Sequence, residues 1–115
     1  MSFAAEVRHD ANGVVLALTG DLNALAQDAF EAAAQRALAG SPGELVIDFG
    51  EITYINSTGI ALIVWLLAQA RAGRVLVSGR SVDAHHRHIF EITKLSDFIR
   101  FDDDEPASAT PWRLP

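Results

Sequence analysis

The sequence contains no cysteine. Disulfide bonds, thiolate nucleophiles and cysteine-based zinc sites are therefore excluded together. This absence fits the reducing cytoplasm, which is the expected location. Positive charge is also scarce, because nine Lys and Arg residues stand against 15 Asp and Glu residues and the formal net charge is −6. A protein that follows nucleic-acid phosphates needs a basic surface, so no nucleic-acid partner is expected.

Long apolar segments are absent as well. The longest apolar run, residues 60–68, has nine residues, whereas a membrane-spanning helix needs about 20. The sequence opens with Met-Ser-Phe-Ala-Ala-Glu-Val, without a basic region ahead of an apolar one, so no signal peptide is expected. The sequence predicts a soluble protein with no direct membrane insertion, which a partner could still hold beside a membrane.

The motifs of common enzymes and cofactor sites are missing too. The glycines form neither GxGxxG nor a P-loop, and there is no Gly-x-Ser-x-Gly elbow, so we expect no cofactor and no enzymatic activity. His85, His86 and His88 suggest a metal site, but a further ligand such as His9 or Glu91 would be required, at no recognised spacing. We therefore expect helix-surface or half-buried histidines and no metal.

What is present is one domain of alternating strands and helices. The 115 residues are 50% hydrophobic and 21% charged, typical of a globular domain. Strands are predicted at 3–9, 14–19, 44–49, 74–79 and 97–101, and helices at 22–39, 60–71 and 82–93, with some strand character at 50–55. The order β-β-α-β-α-β-α-β predicts an α/β fold with a mixed four- to five-stranded sheet and about three to four helices. Residues 1–101 form the domain, and residues 102–115 are predicted to be an acidic, proline-containing, mobile tail.

Helical spacing also predicts which side chains face the core. In the first helix the apolar stripe includes Leu25, Ala29 and Phe30. In the third helix the predicted inward positions are Val82, His85, Ile89, Phe90 and Ile92.

The second predicted helix is apolar on two sides. One stripe consists of Ile60, Ile63, Val64 and Leu67, and the opposite side carries Ala61, Leu62, Trp65 and Leu66. Because a two-layer domain of this size does not easily bury both sides, we predict an exposed apolar surface that includes Trp65 and binds a partner. The alternative is that Trp65 packs on the tail or on a neighbouring helix.

The start of this helix is the most informative segment. Asn56, Ser57 and Thr58 are small polar residues placed where backbone N–H groups lack intrahelical acceptors, so Asn56 or Ser57 is predicted to cap the helix. A hydroxyl here projects from the positive end of the helix dipole, where a phosphate is well tolerated. Gly59 lets another backbone approach closely because it has no side chain.

In order and spacing the sequence resembles a STAS domain, the fold of bacterial anti-sigma-factor antagonists. The resemblance covers about residues 7–101. It rests on Gly20-Asp21-Leu22-Asn23, on Leu45-Val46-Ile47-Asp48-Phe49, on Asn56-Ser57-Thr58-Gly59-Ile60, and on the segment 89–99 with its Ile-Phe-Glu-Ile-Thr-Lys-Leu.

The resemblance implies a function in partner switching. Family members bind a serine kinase that is also an anti-sigma factor, and phosphorylation at the start of the second helix releases them. The family motif Asp-Ser-Ser/Thr-Gly implies Ser57 as the phosphate acceptor, with Thr58 as the alternative. The matched motifs also imply partner binding through Asp21, Asn23, Asn56, Thr58, Gly59 and Ile60, and the apolar second helix adds Trp65 to the predicted binding surface. Two family carboxylates are amides in this sequence, at Asn56 and Asn23.

Two functions from different classes follow. The first is a module that docks a serine kinase/anti-sigma factor and is switched by phosphorylation of Ser57. The second is a constitutive STAS scaffold subunit of a transporter or signalling complex, without a phosphate cycle, which the two amide substitutions favour. A small-ligand sensor is a third and weaker alternative.

Overall fold

The computed structural model describes residues 2–10 and 13–101 of the chain. The elements are β1 (Ala4–Asp10), β2 (Gly13–Leu22), α1 (Gln27–Leu38), β3 (Glu44–Ile55), α2 (Ser57–Ala72), β4 (Leu76–Arg80), α3 (Ala84–Ile92) and β5 (Arg100–Phe101). Short 3-10 turns, Ala24–Ala26 and Leu95–Asp97, precede α1 and β5. The predicted mobile tail at 102–115 lies outside the described residues.

The five strands form one mixed sheet in the order β1-β2-β3-β4-β5. The hairpin partners β1 and β2 are antiparallel, and every later strand is parallel to its neighbour. The helices α1, α2 and α3 lie in the three connections between parallel strands. The predicted α/β fold and element order are therefore confirmed.

All three helices pack on one face of the sheet. Alternate strand residues such as Leu16, Leu18 and Ile47 belong to the same buried apolar cluster as the inner residues of the helices. The intervening Val15 and Val46 are buried outside that cluster, as expected for side chains that point to the other face. The domain is thus a layer of helices on one face of a sheet. Helix α2 begins at Ser57, directly after the end of β3 at Ile55.

Two predicted boundaries are wrong near the end of β2. The sequence predicts a helix from Leu22, but Leu22 is still in β2, paired with Ile55, and α1 begins only at Gln27. The sequence ends the third strand at residue 49 and indicates only some strand character at 50–55, but these residues are the second half of β3. Parallel pairing with β2 keeps both segments extended, and this tertiary pairing outweighs the helix propensity of the residues after Gly20.

The inward faces of the first and third helices also differ from the prediction. Leu25 is 95% exposed and Ala29 is exposed, because Leu25 lies in the 3-10 turn before α1. In α3, Phe90 is buried as predicted, but His85 is exposed, Ile92 is 64% exposed, and His86 is buried instead. His86 and Phe90 are four residues apart, so they share a face that excludes His85 and Ile92.

The predicted strand at 97–101 is shorter in the structure. A 3-10 turn occupies Leu95–Asp97 and leaves Arg100–Phe101 as the paired part of β5. Within residues 2–10 and 13–101, no helix has the length and hydrophobicity that a membrane span requires. Over the same residues, no group of three or more His, Asp or Glu side chains is placed to hold a metal ion.

Candidate functional site

The predicted site residues meet where β2 and β3 end. These two strands are parallel and finish side by side, with Leu22 opposite Ile55. The backbone N–H of Asn56 donates to the carbonyl oxygen of Leu22 at 3.3 Å. The short segment Asp21–Asn23 and the first turn of α2 are therefore held next to each other.

Asn56 caps α2. Its backbone is extended, with φ −96° and ψ −173°, and its side-chain Oδ1 accepts a hydrogen bond from the N–H of Gly59 at 2.9 Å. The N–H of Ile60 donates to the Asn56 carbonyl oxygen at 2.9 Å, the first intrahelical bond. The predicted cap is therefore confirmed at Asn56, and the helix begins at Ser57, three residues earlier than the apolar pattern indicates.

Gly59 lies against the backbone of the neighbouring strand, as predicted. A Cβ atom at this position would be 2.2 Å from the Leu22 carbonyl oxygen and 2.9 Å from Cγ2 of Ile55. Real Cβ atoms do not approach a carbonyl oxygen that closely, so only glycine fits between the end of β2 and the first turn of α2. This contact fixes the distance between the helix start and the Asp21–Asn23 segment.

Ser57 is the first residue of α2 and is exposed, whereas Thr58 is half-buried. The N–H groups of both residues precede the first intrahelical bond, so they contribute to the positive end of the helix dipole. No acidic residue lies in the first turn of α2. A phosphoserine at this position would thus meet a favourable local field and no carboxylate from its own helix turn.

The Asp21–Asn23 segment is ordered by side-chain hydrogen bonds. Asn23 Oδ1 accepts from the N–H of Leu25 at 3.0 Å and so caps the 3-10 turn that leads into α1. The hydroxyl of Thr53, on the adjacent strand β3, donates to Oδ1 of Asp21. This hydrogen bond holds the pKa of the Asp21 carboxyl below its ordinary value, because it stabilises the charged form.

The exposed face of α2 differs from the predicted one. Leu62, Ile63, Leu66 and Ala70 are buried, and Ile60 and Trp65 are half-buried against the core. The exposed stripe that continues from Ser57 along the helix carries small apolar residues, namely Ala61, Val64 and Ala68. Trp65 therefore lies at the edge of this stripe, partly used in packing, and not at its centre.

Sequence reasoning missed three residues at this end of the sheet. Leu25, in the 3-10 turn that follows β2, is 95% exposed. Tyr54, at the end of β3, is 53% exposed. Thr53 is missed as the hydrogen-bond donor to Asp21. The continued strand character of residues 50–55 is the available signal, but strand alternation predicts only one of two consecutive residues outward. Thr53 and Tyr54 are both exposed beside the register shift between Gly20 and Asp21, where β2 and β3 are irregularly paired.

The cap offers a direct test of the local architecture. Asn56→Ala removes the acceptor for the Gly59 N–H and is expected to lower the free energy of unfolding by about 1 kcal/mol. Asn56→Asp keeps the acceptor and adds a negative charge at the helix N-terminus, worth about 0.3–1 kcal/mol of added stability at neutral pH. Urea denaturation of the three proteins measures both effects, and equal stability of Asn56→Ala and the native chain would contradict the cap.

Comparison with known proteins agrees with this architecture. No curated protein matches the chain. Among solved structures, an anti-sigma factor antagonist from Mycobacterium paratuberculosis is similar at 20% identity and a TM-score of 0.74, over 97% of this chain and 95% of that one. The anti-sigma factor antagonist SpoIIAA in its unphosphorylated form is similar at 17% identity and a TM-score of 0.67, over 97% and 100%. Phosphorylated SpoIIAA, a Bacillus cell fate determinant, is similar at 18% identity and a TM-score of 0.67, over 93% and 98%.

At these identities the structural matches establish the fold alone. The family assignment comes from a family model described as "Mlab, STAS domain", which matches residues 5–100 and thus nearly all of the described domain. On the strength of that match, together with the mixed sheet and its three packed helices, this chain belongs to the STAS domain family.

Proposed function

We propose that this chain is a protein-interaction module of the anti-sigma-factor-antagonist kind, without catalytic activity of its own. Its partner is a serine kinase that is also an anti-sigma factor, which locates the interaction in the cytoplasm. The docking surface consists of the Asp21–Asn23 segment, residues 56–60 and the exposed stripe of α2. Phosphorylation of Ser57 releases the partner.

The observation that carries this proposal is the exposed Ser57 hydroxyl at the first position of α2. A kinase must reach the hydroxyl it modifies, and Ser57 is more accessible than the half-buried Thr58. The small side chains of Ala61, Val64 and Ala68 continue from Ser57 along the exposed side of α2. A partner that covers this stripe therefore covers the Ser57 hydroxyl as well.

The switch would act on the interface and not on the fold. A phosphate adds a charge of about −1.5 to −2 at neutral pH. At the N-terminus of a helix this charge is locally favourable, so α2 is expected to stay folded. Within a docked interface the same charge must be desolvated against the partner surface, which disfavours the complex unless a cation meets it.

Of the three positions at which the family pattern has a carboxylate, only Asp21 keeps one in this chain. Asn23 and Asn56 are amides and both use their Oδ1 atoms for caps. The Thr53 hydroxyl lowers the pKa of the Asp21 carboxyl further and so favours its charged form. We therefore assign Asp21 as the group that pairs with a basic side chain of the partner.

The similar structures support the switching mechanism by analogy. SpoIIAA is known in an unphosphorylated and in a phosphorylated form, and both share the fold of this chain. The second candidate function, a constitutive scaffold in a transporter or signalling complex, is favoured by the amides at Asn23 and Asn56. Both amides use their Oδ1 atoms as caps, but neither carries the negative charge that the family pattern has at its position.

A serine-to-aspartate substitution separates the two candidates. Ser57→Asp places a fixed charge in the interface and is expected to weaken binding to the partner kinase by about 100-fold, the consequence of burying an unpaired charge. Ser57→Ala is expected to bind like the native chain but to accept no phosphate. Isothermal titration calorimetry measures the affinity, and mass spectrometry after incubation with kinase and ATP locates the phosphate.

Ser41→Asp is the matched control for this experiment. Ser41 is an exposed serine in the connection between α1 and β3, outside the proposed surface. Binding of Ser41→Asp should match that of the native chain. Unchanged binding by Ser57→Asp would favour the constitutive scaffold, and a phosphate found on another residue would refute the assignment of Ser57.

A further inference from the structure

A groove of about 750 Å³ opens near the C-terminal end of α2. Its lining comes from the last turns of α2, from the start of β4 and from the segment between Ser96 and Phe101. The 16 residues of α2 span about 24 Å. The groove is therefore separate from the proposed kinase-docking surface, which lies at the other end of this helix.

The groove exists because β5 is shorter than β4. Strand β4 has five residues, but β5 pairs only with Ser78 and Gly79. Among the residues that the structure describes, no strand lies beside Leu76 and Val77 on that side of β4, and both residues line the groove instead. The gap left by the short strand is thus a concave site at the edge of the sheet.

The floor of the groove is aliphatic. Val75, Val77 and Ile99 line it and are only 6%, 9% and 2% exposed, so they lie below the surrounding side chains. Leu76 and Phe98 stand at its sides, 72% and 55% exposed, although both are large hydrophobic residues. An occupant that covers these five side chains removes apolar surface from water, which is favourable.

Positive charge is concentrated around this floor. The chain has only nine basic residues and a net charge of −6. Four of the nine are arginines of the groove lining, namely Arg71, Arg74, Arg87 and Arg100. The carboxylates in the described lining are those of Glu44 and Asp97. The groove is a local basic site on an acidic protein, and it favours an anionic occupant.

Two of the four arginines are placed to meet a ligand. Arg100 lies 3.4 Å from the Glu44 carboxylate, and the Arg87 guanidinium lies 4.4 Å from the centre of an aromatic ring of the lining. Arg71 and Arg74 are exposed, and neither has the carboxylate of another described residue within ion-pair distance. The last two are therefore open to a ligand carboxylate.

We propose that the groove binds one long-chain fatty acid, as the free carboxylate. The carboxylate pairs with Arg71 and Arg74, whose guanidinium groups match its geometry. The alkyl chain lies along the floor of Val75, Val77 and Ile99. A volume of about 750 Å³ is in the range of sites that hold a single small molecule.

The lining favours this ligand over other anions. Ser96 is the one neutral polar side chain in the described lining, so the base and sugar of a nucleotide would find few hydrogen-bond partners. The surface of a lipid bilayer would touch the exposed Leu76 and Phe98 but not the buried floor. A single alkyl chain reaches the floor, and for this reason the occupant is a monomer and not a membrane.

Titration with decanoate, below its micelle concentration and followed by amide NMR, tests this proposal. We expect saturable binding of one decanoate per chain, with the largest shifts at Leu76, Val77 and Phe98. Decan-1-ol has the same chain without the charge and is expected to bind about tenfold more weakly. Hexanoate keeps the charge but has four fewer methylene groups, so at least about a tenfold loss is expected for it as well.

A charge reversal identifies the carboxylate site. Arg71→Glu/Arg74→Glu is expected to weaken decanoate binding at least about tenfold and to leave decan-1-ol binding unchanged, because only the charged ligand uses the two guanidinium groups. Both residues are exposed, so the fold should persist. Arg36→Glu/Lys94→Glu makes the same charge change at two exposed residues outside the lining, and this control should bind both ligands like the native chain.

A second pair of variants tests the apolar part. Leu76→Ser is expected to weaken decanoate and decan-1-ol alike, by about threefold to tenfold, because both alkyl chains lose the same contact. Ile92→Ser is the matched control, since Ile92 is 64% exposed and lies outside the lining. Its affinity for both ligands should equal that of the native chain.

Four results would overturn the proposal. The first is decanoate binding that does not saturate or that shifts residues outside the groove. The second is equal affinity for decanoate and decan-1-ol. The third is an equal effect of the groove variant Arg71→Glu/Arg74→Glu and its control Arg36→Glu/Lys94→Glu. The fourth is binding to vesicles of anionic phospholipid without binding to monomeric decanoate, which would identify a membrane surface as the occupant.

Discussion

Replacing Gly59 with alanine is expected to lower the free energy of unfolding by about 2–4 kcal/mol. Alanine is the better helix former, so propensity alone predicts a gain of about 1 kcal/mol. The added methyl group, however, would stand 2.2 Å from the Leu22 carbonyl oxygen and must displace α2 from the end of β2. Because this neighbour is strand backbone, the overlap cannot be relieved by a side-chain rotation.

Chemical denaturation of Gly59→Ala beside Gly43→Ala measures this effect. Gly43 precedes β3, and a Cβ atom added there would have nothing within 4 Å, so its substitution is expected to be neutral or to stabilise by about 0.4–1 kcal/mol. Gly59→Ala should also weaken partner binding, since it separates the Asp21–Asn23 segment from Ser57. Two glycine variants of equal stability would show that the backbone contact does not determine the position of α2.

Phe90→Ala is expected to cost about 3–5 kcal/mol of unfolding free energy. The Phe90 side chain is fully buried, with its ring centre 5.5 Å from that of Phe49 and 5.9 Å from that of Phe101. Its loss would leave a cavity between α3 and the strands β3 and β5. Because β5 is only two residues long, we expect this edge of the sheet to loosen with it.

Ile92→Ala is the matched comparison on the same helix. The apolar pattern predicts that both Phe90 and Ile92 face the core, but Ile92 is 64% exposed. Its truncation should change stability by less than about 0.5 kcal/mol. A cost for Ile92→Ala that approaches the cost for Phe90→Ala would mean that α3 packs with a different face inward.

The fold could be predicted from the sequence because its signals are local and repeated. Glycine-rich breaks separate the β-branched runs from the Ala-rich and Leu-rich segments, and their alternation indicates an α/β sheet. The errors lie where tertiary pairing decides: Leu22 and residues 50–55 are extended because β2 and β3 pair with each other. A single sequence does not reveal that pairing before the register of the two strands is known.

The candidate site was predictable in part for the same reason. Asn56 could be identified as a cap because capping is determined within one turn of helix. Gly59 could be identified as a close approach because it lacks a side chain, but the backbone that it meets, at Leu22, could not be identified. The exposed stripe at Ala61 and Val64 could not be identified, since a helix that is apolar on both sides has no periodic signal for its inner face.

The sheet order has a consequence for biosynthesis. Every strand pairs with the strand that precedes it in the chain, and the first pair is joined by a tight hairpin. When the ribosome delivers β3, its binding edge on β2 already exists, and the same holds for β4 and β5 in turn. The nascent domain can therefore grow from one edge to the other, and no early strand has to wait with an open edge for a partner synthesised last.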